Sequence, residues 1–334
     1  MNNLKKIGLT ALAGSLVATA SFGAELSVSG GAALYFDQPD NHAVRGNNFY
    51  MGDSVTFSGS GELDNGWTVS VSYELDGGAQ SAAGSTGGTA SATKNVGGTN
   101  VLDSHSMTVT MGDAGSITFS GHGGDSALSS LDDMTPNAYE ESWDVVTGAD
   151  AAVINGVSGN NMFMYKSPVA QGAQFMVSYI NASDAVTDVS YMDFGVTISP
   201  EMVDGLSIGF ASGDDEATKG TIKSEKTMYA KYAFGATTVG VQKSTSDSNA
   251  SNADVETMAV GISYAVSDDL SVAYNEMTAD YEDTSKVDQE SSGISISYTM
   301  GSISLSGAMN KVDNIAGTET SDKEGYEFGL AFAF

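Results

Sequence analysis

Apolar residues in this chain fall on every second position and hardly ever in unbroken blocks. Trp67, Val69, Val71, Tyr73 and Leu75 alternate with Thr68, Ser70, Ser72 and Glu74. The pattern returns in Leu206, Ile208 and Phe210, in Val260, Ile262, Tyr264 and Val266, and in Ile294, Ile296, Tyr298 and Met300. The last nine residues repeat it with Tyr326, Phe328, Leu330, Phe332 and Phe334. A period of two belongs to strands whose successive side chains point to opposite faces, so each segment has one apolar face and one polar or small face. Helical spacing is confined to one short turn expected over 127–133.

The N-terminal stretch follows another rule. Lys5 and Lys6 precede an apolar run over 7–20, and Ser21 and Gly23 fit the small-residue positions before a cleavage site. This predicts a signal peptide over 1–23 and one mature domain over 24–334. The run is shorter than the roughly 20 residues a membrane-spanning helix needs, and no other stretch comes near that length. If the mature chain lies in a membrane, it must therefore be a closed barrel, because open strand edges cannot be satisfied in hydrocarbon. Stability must come without disulfides, since Cys is 0. Net charge is −29, and would be −31 without Lys5 and Lys6, which excludes phosphate-driven nucleic-acid binding and favours cations as electrostatic partners.

The connections alternate in kind. About seven are tight, rich in Gly, Asn, Asp and Pro, including 64–66, 113–115, 168–172, 200–205, 234–236, 267–269 and 300–302. About eight are longer and polar, near 37–47, 77–103, 123–160, 181–188, 213–223, 246–253, 280–290 and 313–323. They join about 16 strands with both termini on the short-turn side, the arrangement of an outer-membrane barrel with short periplasmic turns and long extracellular loops. Expected strands include 206–212 and 224–234. A β-sandwich would also alternate, but it leaves the strand-end aromatics and the unbroken pattern unexplained. In a barrel the apolar alternates face lipid, and polar ones such as Ser70, Ser72 and Glu74 line the lumen. Asp53 and Glu276 break this parity: each is expected above the lipid band, or, for Asp53, against a neighbouring subunit.

About 16 strands enclose more space than side chains can fill, and the sequence has no plug domain, so an aqueous channel for passive diffusion of small hydrophilic solutes and ions is expected. Alternatives are an adhesive or structural barrel, with 77–103 as an exposed recognition loop, and a substrate-specific channel. An enzyme is not expected, as no Gly-x-Ser-x-Gly elbow or comparable nucleophile motif occurs. His42, His105 and His122 without Cys do not make a zinc set. The acidic groups Asp214–Asp215–Glu216 and Asp280–Glu282–Asp283 could hold Ca²⁺ in loops, but they lack EF-hand spacing and read as solvated charge. No cofactor is expected.

Three stretches carry a resemblance: "AELSVSGGAALYF" after the leader, "MGDAGSITFSGHGGDSALSSLDDMTP", and the terminal "GYEFGLAFAF". They resemble the general-diffusion outer-membrane porins of alphaproteobacteria, the Rhodobacter type, over nearly the whole chain. That resemblance implies a homotrimer in the outer membrane of a Gram-negative bacterium, among lipid and lipopolysaccharide. It implies a third loop folded into the lumen to narrow the pore, here starting near Gly123 and carrying Asp125, Asp132, Asp133, Glu140, Glu141 and Asp144. It also implies a facing basic wall, for which Arg45, the only arginine, and Lys166 and Lys231 are the candidates. Phe334 would be the terminal aromatic read by the outer-membrane assembly machinery. A ring of carboxylates in a narrow aqueous passage concentrates cations and repels anions, so cation preference is expected.

Overall fold

A computed structural model describes residues 25–38, 49–76, 102–182, 190–218 and 221–334. The leader expected at 1–23, Arg45, His42 and nearly all of the 77–103 loop lie outside the described residues. The strands are β1 (Glu25–Gln38), β2 (Phe49–Glu62), β3 (Thr68–Asp76), β4 (Ser104–Thr110), β5 (Ser116–His122), β6 (Gly124–Asp125), β7 (Ser158–Gly159), β8 (Met162–Lys166) and β9 (Ala173–Ile180). They continue with β10 (Tyr191–Ile198), β11 (Leu206–Thr218), β12 (Thr221–Phe234), β13 (Thr237–Ser248), β14 (Val255–Ala265), β15 (Leu270–Tyr281), β16 (Gln289–Met300), β17 (Ile303–Asp313) and β18 (Lys323–Ala333). All but β6 and β7 form one closed antiparallel barrel of 16 strands, in which β5 pairs with β8 and β18 returns to β1. β6 and β7 make a separate two-strand ladder at the root of the third loop.

Closure places the apolar alternating last strand against the first. β18 runs antiparallel to β1 from Gly31↔Ala333 to Gln38↔Tyr326. Beyond that ladder the Phe334 N–H donates to the Gly30 carbonyl at 2.9 Å, and the Gly30 N–H donates to Phe334 O at 3.1 Å. No edge is left between the first and last strands, which is what a barrel in hydrocarbon requires. The short turns depend on backbone only glycine adopts freely. At Gly205 (φ +80°) an added Cβ would also lie 2.1 Å from the Ala233 carbonyl oxygen.

The two faces separate as the alternation demands. Phe328, Leu330, Phe332 and Phe334 point outward and stay about half exposed, at 45–56%. Ile294, Ile296 and Tyr298 do the same on β16. Trp67, Phe234, Tyr264 and Tyr298 stand outward near the short-turn end, a girdle suited to a membrane interface. Glu276 points outward beyond Tyr274, accepts that residue's phenol hydrogen bond, and is followed on its face by Thr278 and Asp280. It marks the upper limit of the apolar band. Asp53 differs, since its outward row on β2 reads Phe49, Met51, Asp53, Val55, Phe57, with apolar neighbours on both sides.

Two boundaries depart from expectation. β11 and β12 run well past 206–212 and 224–234, continuing as a ladder to Asp214↔Ser224 and Asp215↔Lys223. The outward apolar row ends at the Phe210–Met228 pair, whereas the backbone ladder continues beyond it. Consequently Asp214, Asp215 and Glu216 sit in a strand and not in a loop. The turn expected at 127–133 is a single 3-10 turn, Ser129–Leu131.

Candidate functional site

The third loop, between β5 and β8, folds into the barrel and is fastened along one arc of its wall. At its start the Asp193 carboxylate of β10, 1% exposed, accepts hydrogen bonds from the backbone N–H groups of Ala127 (3.2 Å) and Leu128 (2.8 Å), and Tyr191 donates to it at 3.0 Å. Such charge-assisted bonds from a buried carboxylate are among the stronger ones available. Ala127, Leu128 and Leu131 then pack on Met164, Met176, Ala211 and Tyr229 from four strands. Further along, Gln242 of β13 takes the Met134 N–H at 2.7 Å and gives its amide to the Leu131 carbonyl at 2.8 Å. Pro136 lies against Gly240 and Gly261, where added Cβ atoms would come within 2.5 and 2.7 Å of it.

The second half is held as firmly. Ser295 accepts from the Ala138 N–H (3.1 Å), Asn310 donates to the Glu141 carbonyl (2.6 Å), Ser142 and Ser291 share a bond of 3.0 Å, and Gln289 donates to the Ala149 carbonyl (2.7 Å). Trp143, Val146 and Ala149 pack on Ala259, Met277, Val312 and Ile315. These anchors extend from β8 to β17.

What remains open is the arc of β1 to β5. Apart from Tyr35 and Tyr50, its inward residues are mostly small or acidic: Ala33, Ser54, Thr56, Ser58, Ser70, Ser72, Ser106, Thr108 and Thr118, with Asp37, Glu74 and Asp76. A recess of about 550 Å³ lies where β1, β2 and β18 meet the turn between β16 and β17, bordered by Gly31, Ala33, Gly52, Ser54, Ser302 and Ala333. The aqueous passage thus lies between the loop's free edge and a Ser/Thr wall.

The loop's edge is acidic. Carboxylate oxygens of Glu140, Glu141 and Asp144 all lie within 4.8 Å of one another, the one such convergent set of His, Cys, Asp or Glu side chains among the described residues. Asp144 accepts the Glu141 N–H at 2.9 Å, and Asn137 donates to the Glu141 carboxylate. Burial, then the neighbouring Asp144, raises both Glu140 and Glu141 above the ordinary carboxylate range. Burial pushes Asp132 up to about 8, with Asp133 adding to the effect, and burial together with Asp144 takes Asp133 to about 6. Like charges sharing a partly desolvated site disfavour simultaneous ionisation. Asp125 stands at the loop's root in β6, exposed and apart from this set, and its charge reaches Asp132.

The candidate cations lie elsewhere. Lys166 closes β8 opposite Ser116, and Lys231 pairs with Ser207, so both face inward near the short-turn end. Lys231 also sits 5.9 Å from the centre of the Tyr229 ring. Between the leader and Lys166 the sequence has only Arg45 and Lys94 as basic residues, and both lie outside the described residues.

Sequence reasoning missed Glu327, Tyr139, Tyr50 and Tyr35. Glu327 of β18 accepts the Tyr139 phenol from the loop and the Tyr50 phenol of β2, the latter at 2.9 Å. Parity held the signal for three of them. If Tyr326 and Phe328 face lipid, Glu327 must face the lumen, and Leu34 and Phe36 place Tyr35 there likewise.

Solved structures share this architecture. The anion-selective porin from Comamonas acidovorans aligns at 15% identity and a TM-score of 0.66, covering 93% of this chain and 100% of that one. A mutant of Rh. blastica porin aligns at 15% identity and 0.62 with the same coverage. Salmonella typhi OmpF aligns at 12% and 0.67, covering 93% and 98%. At such identities these show the fold. No curated protein sequence matches the chain. The profile of the Gram-negative porin family matches residues 8–302, so the chain is a member of the Gram-negative porin family.

Proposed function

We propose that this protein is an outer-membrane porin of the Rhodobacter general-diffusion type, passing small hydrophilic solutes and preferring cations. The observation that carries the preference is that carboxylates flank the passage on both sides. Glu140, Glu141 and Asp144 stand on the loop, Asp37, Glu74, Asp76 and Glu327 stand on the wall, and no Lys or Arg faces inward on β1 to β5 among the described residues. A field of one sign along a narrow aqueous path raises local cation concentration. The same fold serves an anion-selective porin in Comamonas acidovorans, so the sign follows from side chains and not from the barrel.

The mechanism is passive. The docked third loop sets the bore, Ser and Thr hydroxyls supply a wetted wall, and solutes move down their gradients without a cofactor or catalytic group. A channel is favoured over an enzyme or a filled anchor by the family match over residues 8–302 and the barrel shared with solved porins. Residues 1–23 would direct export, the short turns would face the periplasm, and the long loops would face outward among lipopolysaccharide. Three outer-face pairs at the long-loop end, Lys226–Asp247 (3.5 Å), Lys243–Glu256 (2.6 Å) and Lys311–Asp313 (2.6 Å), suit a headgroup layer.

Trimer formation is supported by Asp53. A carboxylate between Met51 and Val55 on a lipid-facing row is costly unless protein covers it. Light scattering of the detergent-solubilised protein should give three chains per particle, and a single chain would count against this. Planar-bilayer recording tests the channel itself: ohmic current steps are expected, and a silent bilayer with folded protein present would refute it.

A further inference from the structure

The inward row of β18 is Lys323, Gly325, Glu327, Gly329, Ala331 and Ala333, so Glu327 is the one long side chain between Lys323 and the chain end. Its two carboxylate oxygens are divided between elements: Oε1 accepts the Tyr139 phenol of the third loop, and Oε2 accepts the Tyr50 phenol of β2 at 2.9 Å. Tyr35 stacks on Tyr50 with ring centres 4.9 Å apart and planes 22° apart. Its ring edges lie 3.2 and 3.4 Å from where Cβ atoms on Gly329 and Gly52 would sit, so those glycines let the ring lie flat on the wall. Asp37, directly across from Glu327 on β1, makes this a second negative patch facing Glu140.

Tyr139 immediately precedes the Glu140, Glu141 and Asp144 set, so its tether fixes where that acidic edge stands. We propose that Glu327 is a selectivity-determining and positioning residue of the pore. It holds the loop's acidic edge at a fixed distance from the wall, and its own charge extends the cation path onto that wall. The proposal rests on the porin reading above. It separates two roles, since the tether runs through Tyr139 whereas the charge belongs to Glu327.

The test compares wild type, Tyr139→Phe, Tyr50→Phe and Glu327→Gln by single-channel recording in a KCl gradient, with folded protein confirmed by heat-modifiable migration. Tyr139→Phe keeps every charge but cuts the tether. It should raise the frequency of current substates about tenfold, as expected for loss of one hydrogen bond to a carboxylate, with the reversal potential unmoved. Glu327→Gln keeps an amide oxygen for one phenol and should move the reversal potential toward zero. Tyr50→Phe leaves the loop tethered and should stay as quiet as wild type. Wild-type current together with unaltered substates in Tyr139→Phe and unaltered selectivity in Glu327→Gln would overturn the proposal. A silent wild type would instead defeat the porin reading, and limited proteolysis of the loop over 123–161 would still decide the tether: faster cleavage in Tyr139→Phe supports it, and equal cleavage overturns it.

Discussion

Asp132 shows how one side chain couples the loop's charge to its docking. Its carboxyl titrates near 3.8 when free and is pushed up to about 8 in the docked loop, chiefly by burial. The docked loop therefore holds a proton that the released loop would give up. Docking has its full benefit from this below about pH 4 and loses it as pH rises through about 8, while the passage gains negative charge over the same range. Cation preference should accordingly increase from pH 5 to pH 9, and Asp132→Asn should flatten part of that rise. Reversal potentials measured at both pH values check this, and an identical rise in the variant would remove Asp132 from the passage. The candidate carboxylates were visible in the sequence as a run of acids. Their grouping was not, because whether Glu140, Glu141 and Asp144 converge depends on a loop path that no local period encodes. Glu327 was legible by parity alone, hidden only by the aromatic row around it.

The third loop is an element whose shape comes from the wall. Its anchors, Asp193, Gln242, Gln289 and Asn310, are inward polar residues on regular strands, and by pattern they look like any other lumen lining. Only the arc against which the loop lies distinguishes them, which is why the strands could be read from alternation and the docking could not. Asp193 bears the most direct consequence. Asp193→Ala leaves the Leu128 N–H without its partner and the Ala127 N–H with only Ser178 Oγ at 2.7 Å, and should destabilise docking by about 2–4 kcal/mol. Hydrogen exchange of the Leu128 amide should quicken strongly while exchange in β13 to β16 is unchanged. Unaltered protection at Leu128 would show that the apolar cluster of Leu128 and Leu131 suffices. The longer β11 and β12 teach a complementary point: the lipid band sets where apolar alternation stops, but hydrogen-bonded ladders end only where a turn is encoded.

At the scale of the molecule, the terminal alternation of Tyr326 to Phe334 closes the sheet on β1 and completes the lipid-facing surface. Removing Phe334 deletes both bonds to Gly30 and an outward aromatic at the membrane edge, so the yield of assembled barrel should fall. We propose that recognition by the assembly machinery adds to this loss. Quantifying heat-modifiable protein in outer membranes measures it, and an unchanged yield would assign Phe334 no part in assembly. The strand count, closure and two-faced surface were all carried by a period of two and by alternating connection lengths. The proposed sign of the passage rests on strands β2 to β5, whose own residues include no Lys or Arg, together with the acidic third loop. The reversal potential of the wild-type channel across a KCl gradient at neutral pH tests that account most directly. A potential on the cation side, shrinking when Glu140, Glu141 and Asp144 are replaced by Gln, Gln and Asn, is the predicted result. An anion-side or zero potential would contradict it.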